Sequence, residues 1–247
     1  MQIPTGQLPA IQEAIVAILK ACQSANSTSP APAEDATGLP TLAQALEQLA
    51  DVMSRIESDG QSGSDTSPED VTEIGEYALR LHENLSVTAE KLGLLGEQKQ
   101  PLANLAIDIA LWIALHGGKL EMLEPVVDAL AMTANTESNP EKLEQLSSVI
   151  STITGAVSAL ISEDLEKMNP GRPWRVLLLN QSIVATRSHN TGLMETAFEM
   201  LTSKLPEDAT RFFSEGMQQM QALDYPANVR EVMERYHRQW PVNRSLH

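Results

Sequence analysis

Five histidines, a single cysteine and one acid–histidine pair are the residues of this chain whose types and spacing could carry chemistry. Glu234 and His237 stand three apart in "ERYH", the spacing with which helical di-iron proteins hold metal. Such bundles need a second pair and two further carboxylates, and no second pair occurs. HExxH, paired CxxC and an EF-hand loop are absent too, so neither a metal nor another cofactor is expected. His82, His116 and His189 fall at predicted turns, where a histidine caps the last carbonyls of a helix. "HGGKLE" holds a Gly-Gly-Lys, but Leu follows it and a helix precedes it, unlike a phosphate-binding loop. It reads as a helix end with Gly117 or Gly118 at positive φ. Cys22 sits on an amphipathic segment and reads as packed rather than nucleophilic. No catalytic residue is assigned.

Charge narrows the partners. The 247 residues carry a net charge of −16, which opposes polyanions, so nucleic acid and anionic membranes are disfavoured. The balance is uneven. Residues 1–170 hold 8 Lys and Arg against 25 Asp and Glu, whereas residues 171–247 hold 9 against 8. Eight of ten arginines and seven of nine aromatics lie in that last part. One cysteine permits no intrachain disulfide. The N-terminus lacks a basic leader, and the longest apolar run, "LAIDIALWIAL", is interrupted by Asp108 and too short to span a bilayer. A cytoplasmic setting without membrane insertion is the expectation.

The elements are all helical. Apolar spacing predicts helices over 8–23 and 41–57, on Ser/Pro/Gly-rich linkers that bury little surface. Residues 1–65 thus form two tethered amphipathic helices, which must dock on the rest of the chain or on a partner. Ser67 and Pro68 then open a helix. The series expected beyond is 68–82, 84–95, 101–115, 119–133, 141–168, 173–188, 191–204, 207–222 and 226–239, with Pro101, Pro140, Pro173 and Pro206 opening new helices. Over 141–168 an a/d seam runs from Leu143 through Leu146, Ile150, Ile153 and Val157 to Leu160. It favours one helix about 42 Å long, the alternative being a break at Gly155.

Short turns between helices of similar length suggest stacked antiparallel hairpins. His82 and His116 are 34 residues apart, as are His189 and Leu223. Two units follow, 175–208 and 209–242. Ser182 falls at the close crossing of the first, Phe198 at its large apolar position and Pro206 at its end. Phe212, Gly216 and the turn Asp224-Tyr225 fall likewise in the second, and a third candidate spans 103–136 with Ala110, Gly117 and Ala129. In these residues the chain resembles the tetratricopeptide repeat, although Gln181, Ala185 and Met194 depart from its pattern. The resemblance implies a TPR-like α-solenoid over 68–242 whose inner groove binds peptides or protein segments.

The function expected is therefore a non-catalytic protein–protein interaction module: an adaptor, chaperone or assembly factor. At the phase of the repeat, Phe213, Met217 and Met220 line the inner face, flanked by Asn180, Arg175 and Arg187. An apolar segment would be buried there, with arginine selecting carboxylates at the rim. The same methionines also suit a core. The rival is an all-α structural subunit of a larger complex, and a cofactor-independent helical enzyme is a third class. In the last helix Glu231–Arg235 and Glu234–Arg238 are expected to pair, with Val229, Val232, Met233 and Tyr236 as its buried stripe. The Arg-rich end could also meet the acidic part, within the chain or in a second copy. The cluster Trp240 to His247 is expected to cap the stack or touch another chain.

Overall fold

The computed structural model describes residues 3–28, 38–62, 66–165 and 167–241. The centres of both expected linkers, and residues 242–247 of the C-terminal cluster, lie outside the described residues. What is described is helical, with one isolated parallel bridge between Leu120 and Val157. The helices are α1 (Leu8–Thr28), α2 (Leu39–Ser62), α3 (Pro68–Lys91), α4 (Leu95–Leu115), α5 (Glu124–Thr136), α6 (Pro140–Ala156), the single turn α7 (Ala159–Ser162), α8 (Pro173–Arg187), α9 (Thr191–Lys204), α10 (Pro206–Ala222) and α11 (Ala227–Gln239). Among the described residues no helix is long and apolar enough to cross a membrane.

The chain divides into two compact units: Met1–Thr133 with Gly155–Glu163, and Ala134–Thr154 with Asp164–His247. The division expected near residue 65 therefore does not separate them. In the first unit α1 packs on α4 and α2, and α2 packs on α3, so the two N-terminal helices dock within their own chain. Ile11, Ile15, Ile18, Leu19 and Cys22 form the buried face of α1, and Leu42, Leu46, Leu49 and Met53 that of α2. Burial pushes the Cys22 thiol up, away from the thiolate a nucleophile needs. The run "LAIDIALWIAL" is explained by position. A helix apolar on every side must be covered on every side, and Leu105 through Ile113 are all buried.

Asp108 is the polar exception in that run, and the N-terminal segment answers it. Its Oδ1 accepts from the backbone N–H groups of Thr5 and Gly6, both at 2.8 Å. Gly6 has φ +71°, and a Cβ there would fall 2.6 Å from Leu111 Cβ, so only glycine fits. Burial pushes the Asp108 carboxyl above its usual range, and the Gly6 and Thr5 N–H groups oppose this. For an acid with a raised folded pKa, the cost of holding the charge is present above that pKa and vanishes on acidification. Asp108→Asn, which keeps an acceptor for both N–H groups, should therefore match or exceed the parent stability at neutral pH. Its advantage should shrink as pH falls through the carboxyl's folded pKa. Asp108→Ala, which strands the two N–H groups, should cost about 1–3 kcal/mol. Urea denaturation at neutral and acidic pH checks both.

Several boundaries differ from the expected ones. Ser67 and Asp70 do form a capping box at the start of α3, but the helix continues through "HEN" to Lys91 rather than turning at His82. α4 starts at Leu95 and carries Pro101 inside it, where the missing N–H removes one ladder bond. α5 begins at Glu124 rather than 119, and the helix from Pro140 ends at Ala156 rather than 168. One pairing explains both changes. Leu120 N–H donates to Ala156 O at 2.9 Å, and Ser158 N–H donates to Leu120 O at 3.0 Å, so both stretches leave helical geometry. The seam is buried through Val157 and fails at Leu160, which is 71% exposed.

Candidate functional site

In the second unit four consecutive helices follow their sequence signals closely. Pro173 and Pro206 occupy first-turn positions of α8 and α10. His189 takes φ +62° after α8, and the Asn190 side chain accepts from the N–H groups of Gly192 and Leu193 to start α9. The core gathers where α9, α10 and α11 meet. Phe198 lies edge-on to Phe212, Phe213 and Tyr236 at centroid distances of 5.6, 5.1 and 5.1 Å, and Phe213 stacks on Tyr236. Such pairs add to the area they bury.

Beside this core runs a groove of about 440 Å³. Ile183 and Arg187 of α8 line one side. Phe212, Gly216, Met220 and Leu223 line the other, recurring every three or four residues along α10 and its end. Gly216 sets the depth of that wall, since a Cβ there would come 2.6 Å from Met233 Sδ of α11. A separate hollow of about 230 Å³ shares Arg187, Leu223 and Tyr225 with it and is lined also by Ser138, Pro140, Leu143, His189 and Asp224. Tyr225 meets His189 edge-on at 5.6 Å. Ile183 and Leu223 are 43% and 51% exposed, so the groove leaves aliphatic surface to water.

Arg187, Glu215 and Thr186 already have partners. Arg187 donates to the carbonyls of Ala134 (2.7 Å) and Glu137 (2.5 Å). Glu215 pairs with exposed Arg211 at 2.7 Å, and Thr186 Oγ1 donates to Ser182 O at 2.8 Å. The arrangement offers apolar surface for burial. Among the described residues no three His, Cys, Asp or Glu side chains gather as metal ligands would.

Of the six residues expected to form the site, the structure brings Met220 and Arg187 to the groove. Met220 is 3% exposed, and the Arg187 guanidinium is turned onto carbonyls instead of facing a ligand carboxylate. Phe213 is fully buried in the aromatic core. Met217 and Asn180 are half-buried and do not line the groove; the Asn180 amide Nδ2 is buried without a partner. Arg175 donates through Nε and Nη2 to Asp208 at 2.8 and 2.5 Å, fastening α8 to the start of α10. On α10 Phe212, Gly216 and Met220 line the groove, while Phe213 and Met217 stand one residue further on from the first two, about 100° round the helix. Ile183 and Leu223 were missed. Their signal was an aliphatic residue on the side of its helix away from the buried stripe.

Compared with family models, curated proteins and solved structures, the chain has no match.

Proposed function

We propose that this protein is a non-catalytic interaction module, an adaptor, chaperone or assembly factor, whose α8–α11 region holds an apolar segment of a partner protein. The observation that carries this reading is the largely apolar groove at which Ile183 and Leu223 stay exposed. Its exposed aliphatic side chains suit the apolar side chains of a peptide, and Thr186, Arg187 and Glu215 are engaged within the fold.

We also propose that 175–208 and 209–242 are two tetratricopeptide-like units of a short solenoid. Two close approaches support it. Ser182 is fully buried where α8 meets α9, its Oγ within hydrogen-bonding distance of Leu178 O (3.0 Å) and Ala197 O (3.4 Å). Gly216 does the same service between α10 and α11 against Met233.

Peptides selected from a random display library against the intact protein provide the test. The selected sequences should share apolar anchors. Ile183→Asp and Leu223→Asp should each weaken them about tenfold or more, the effect of losing a binding hot spot. Both positions are exposed, so thermal melting should not change. Selected peptides that bind both variants like the parent protein would place the site elsewhere.

A further inference from the structure

A second groove, of about 850 Å³, lies within the first unit and is lined by α3, the early part of α4 and α5. Its floor is buried and largely apolar: Leu102, Ala103 and Ala129. Val87 and Leu95 line it while 48% and 38% exposed, so aliphatic surface of the groove is left to water. Three exposed carboxylates, Glu83, Glu124 and Asp128, stand among the lining residues with Lys99 as the one cation. Among the described residues none of the three carboxylates has an ion-pair or side-chain hydrogen-bond partner. The unit around them holds 20 Asp and Glu against 6 Lys and Arg, so the wider field has the same sign.

His82 gives an independent indication. Its ring lines the groove, 6% exposed, with Nε2 2.9 Å from Leu102 O. A carbonyl only accepts, so Nε2 carries the hydrogen and Nδ1 is left as a bare acceptor. Burial lowers the ring's pKa and keeps it neutral. Nδ1 is buried and has no partner. A buried acceptor without a donor is costly to leave unmet, and an N–H or O–H would meet it.

We propose that this groove docks a basic amphipathic segment of a partner protein. Its apolar side chains cover Val87, Leu95 and the floor, its Lys or Arg side chains face Glu83, Glu124 and Asp128, and an N–H meets His82 Nδ1. Charge and shape exclude the other classes. A polyanion is repelled, and a small cation leaves the apolar walls uncovered. The site is independent of the groove at α8–α11.

The test uses the intact protein and a labelled synthetic helix with Leu on one face and Lys on the other. A scrambled peptide of identical composition and the same helix with Glu for Lys serve as controls. The amphipathic Lys helix should bind about tenfold or more tightly than the scrambled one, and the Glu helix should not bind. Binding should weaken in about 1 M salt, where the screening length falls to about 3 Å. Glu83→Lys with Asp128→Lys, and separately Val87→Asp, should each cost about tenfold or more in affinity without lowering the melting temperature. Glu13→Lys with Asp51→Lys, the same charge change at exposed positions outside the groove, should cost less than the groove pair, and Ile183→Asp should cost nothing. Equal binding of the scrambled peptide, or equal loss in the two double variants, would reduce the effect to general charge attraction and overturn the proposal. Loss in Ile183→Asp would move the site to the other groove and overturn it equally.

Discussion

Arg172→Met should destabilise the second unit by about 3–5 kcal/mol, the range for stranding one partner of a buried ion pair. Both side chains are 5% exposed. Arg172 grips Asp164 through Nε and through Nη2, the latter at 2.8 Å to Oδ2. Its Nη1 also donates to the carbonyls of Lys167 (3.3 Å) and Asn169 (3.1 Å), so one guanidinium closes the loop that leads into α8. Asp164 sits at φ +54°, in the left-handed region that Asp tolerates better than most residues. Without Arg172 its carboxylate is buried and unpaired. Adding Asp164→Asn, which removes the charge and keeps a side chain suited to that backbone, should recover part of the loss. Chemical denaturation of the parent, the single and the double variant separates the two contributions. A double variant no more stable than the single one would assign the loss to the Lys167 and Asn169 carbonyls instead of the stranded charge.

Phe198→Ala should cost about as much, 3–5 kcal/mol as for other buried aromatics. The ring is fully buried, and four of the unit's aromatic contacts converge on or beside it. Its loss opens a cavity that α9, α10 and α11 all face, and a melting midpoint lower by on the order of 10–20 °C should follow. The near-ultraviolet signal of Phe212, Phe213 and Tyr236 should weaken even below the transition. A milder loss, near that of an exposed substitution, would mean that the neighbouring rings collapse into the space. Phe213 belongs to the same cluster, so Phe213→Asp reports on folding and not on the groove. Ile183 and Leu223 are the informative positions because they are exposed in the folded chain.

The last four helices were legible nearly to the residue because their punctuation is local. Pro173, Asn190, Pro206 and Pro226 fix φ or cap orphan N–H groups whatever the rest of the chain does. The buried stripe of α11, Val229, Val232, Met233 and Tyr236, was legible for the same reason. Its charges were not. Arg235 pairs with Glu195 of α9 and lies over the Tyr236 ring, where the sequence suggested Glu231 one turn back. In "HEN" the misleading residue was His82, a good helix end that is instead buried against Leu102 O in mid-helix. Leu120 and Val157 carried no local signal at all, since a bridge between residues far apart in sequence is a tertiary event. The candidate groove was half legible. Periodicity placed Met220 and Arg187 beside it, but periodicity alone does not say which neighbouring stripe meets the core, and Phe213 took the stripe meant for a ligand.

The Leu120–Val157 bridge also bears on how this chain can be taken apart. Gly155–Glu163 belongs to the first unit, yet it is strung between two stretches of the second. No single cut therefore yields both units whole. A fragment ending at Thr133 leaves the Leu120 N–H and carbonyl without Ala156 O and Ser158 N–H. One beginning at Ala134 carries Ala156 and Val157 away from the unit that buries them. A cut at that point leaves the first unit without Gly155–Glu163, which the other piece carries as an insertion. Synthesis has the same order built in: the first unit stays incomplete until residue 163 has been made, when α8–α11 have yet to appear.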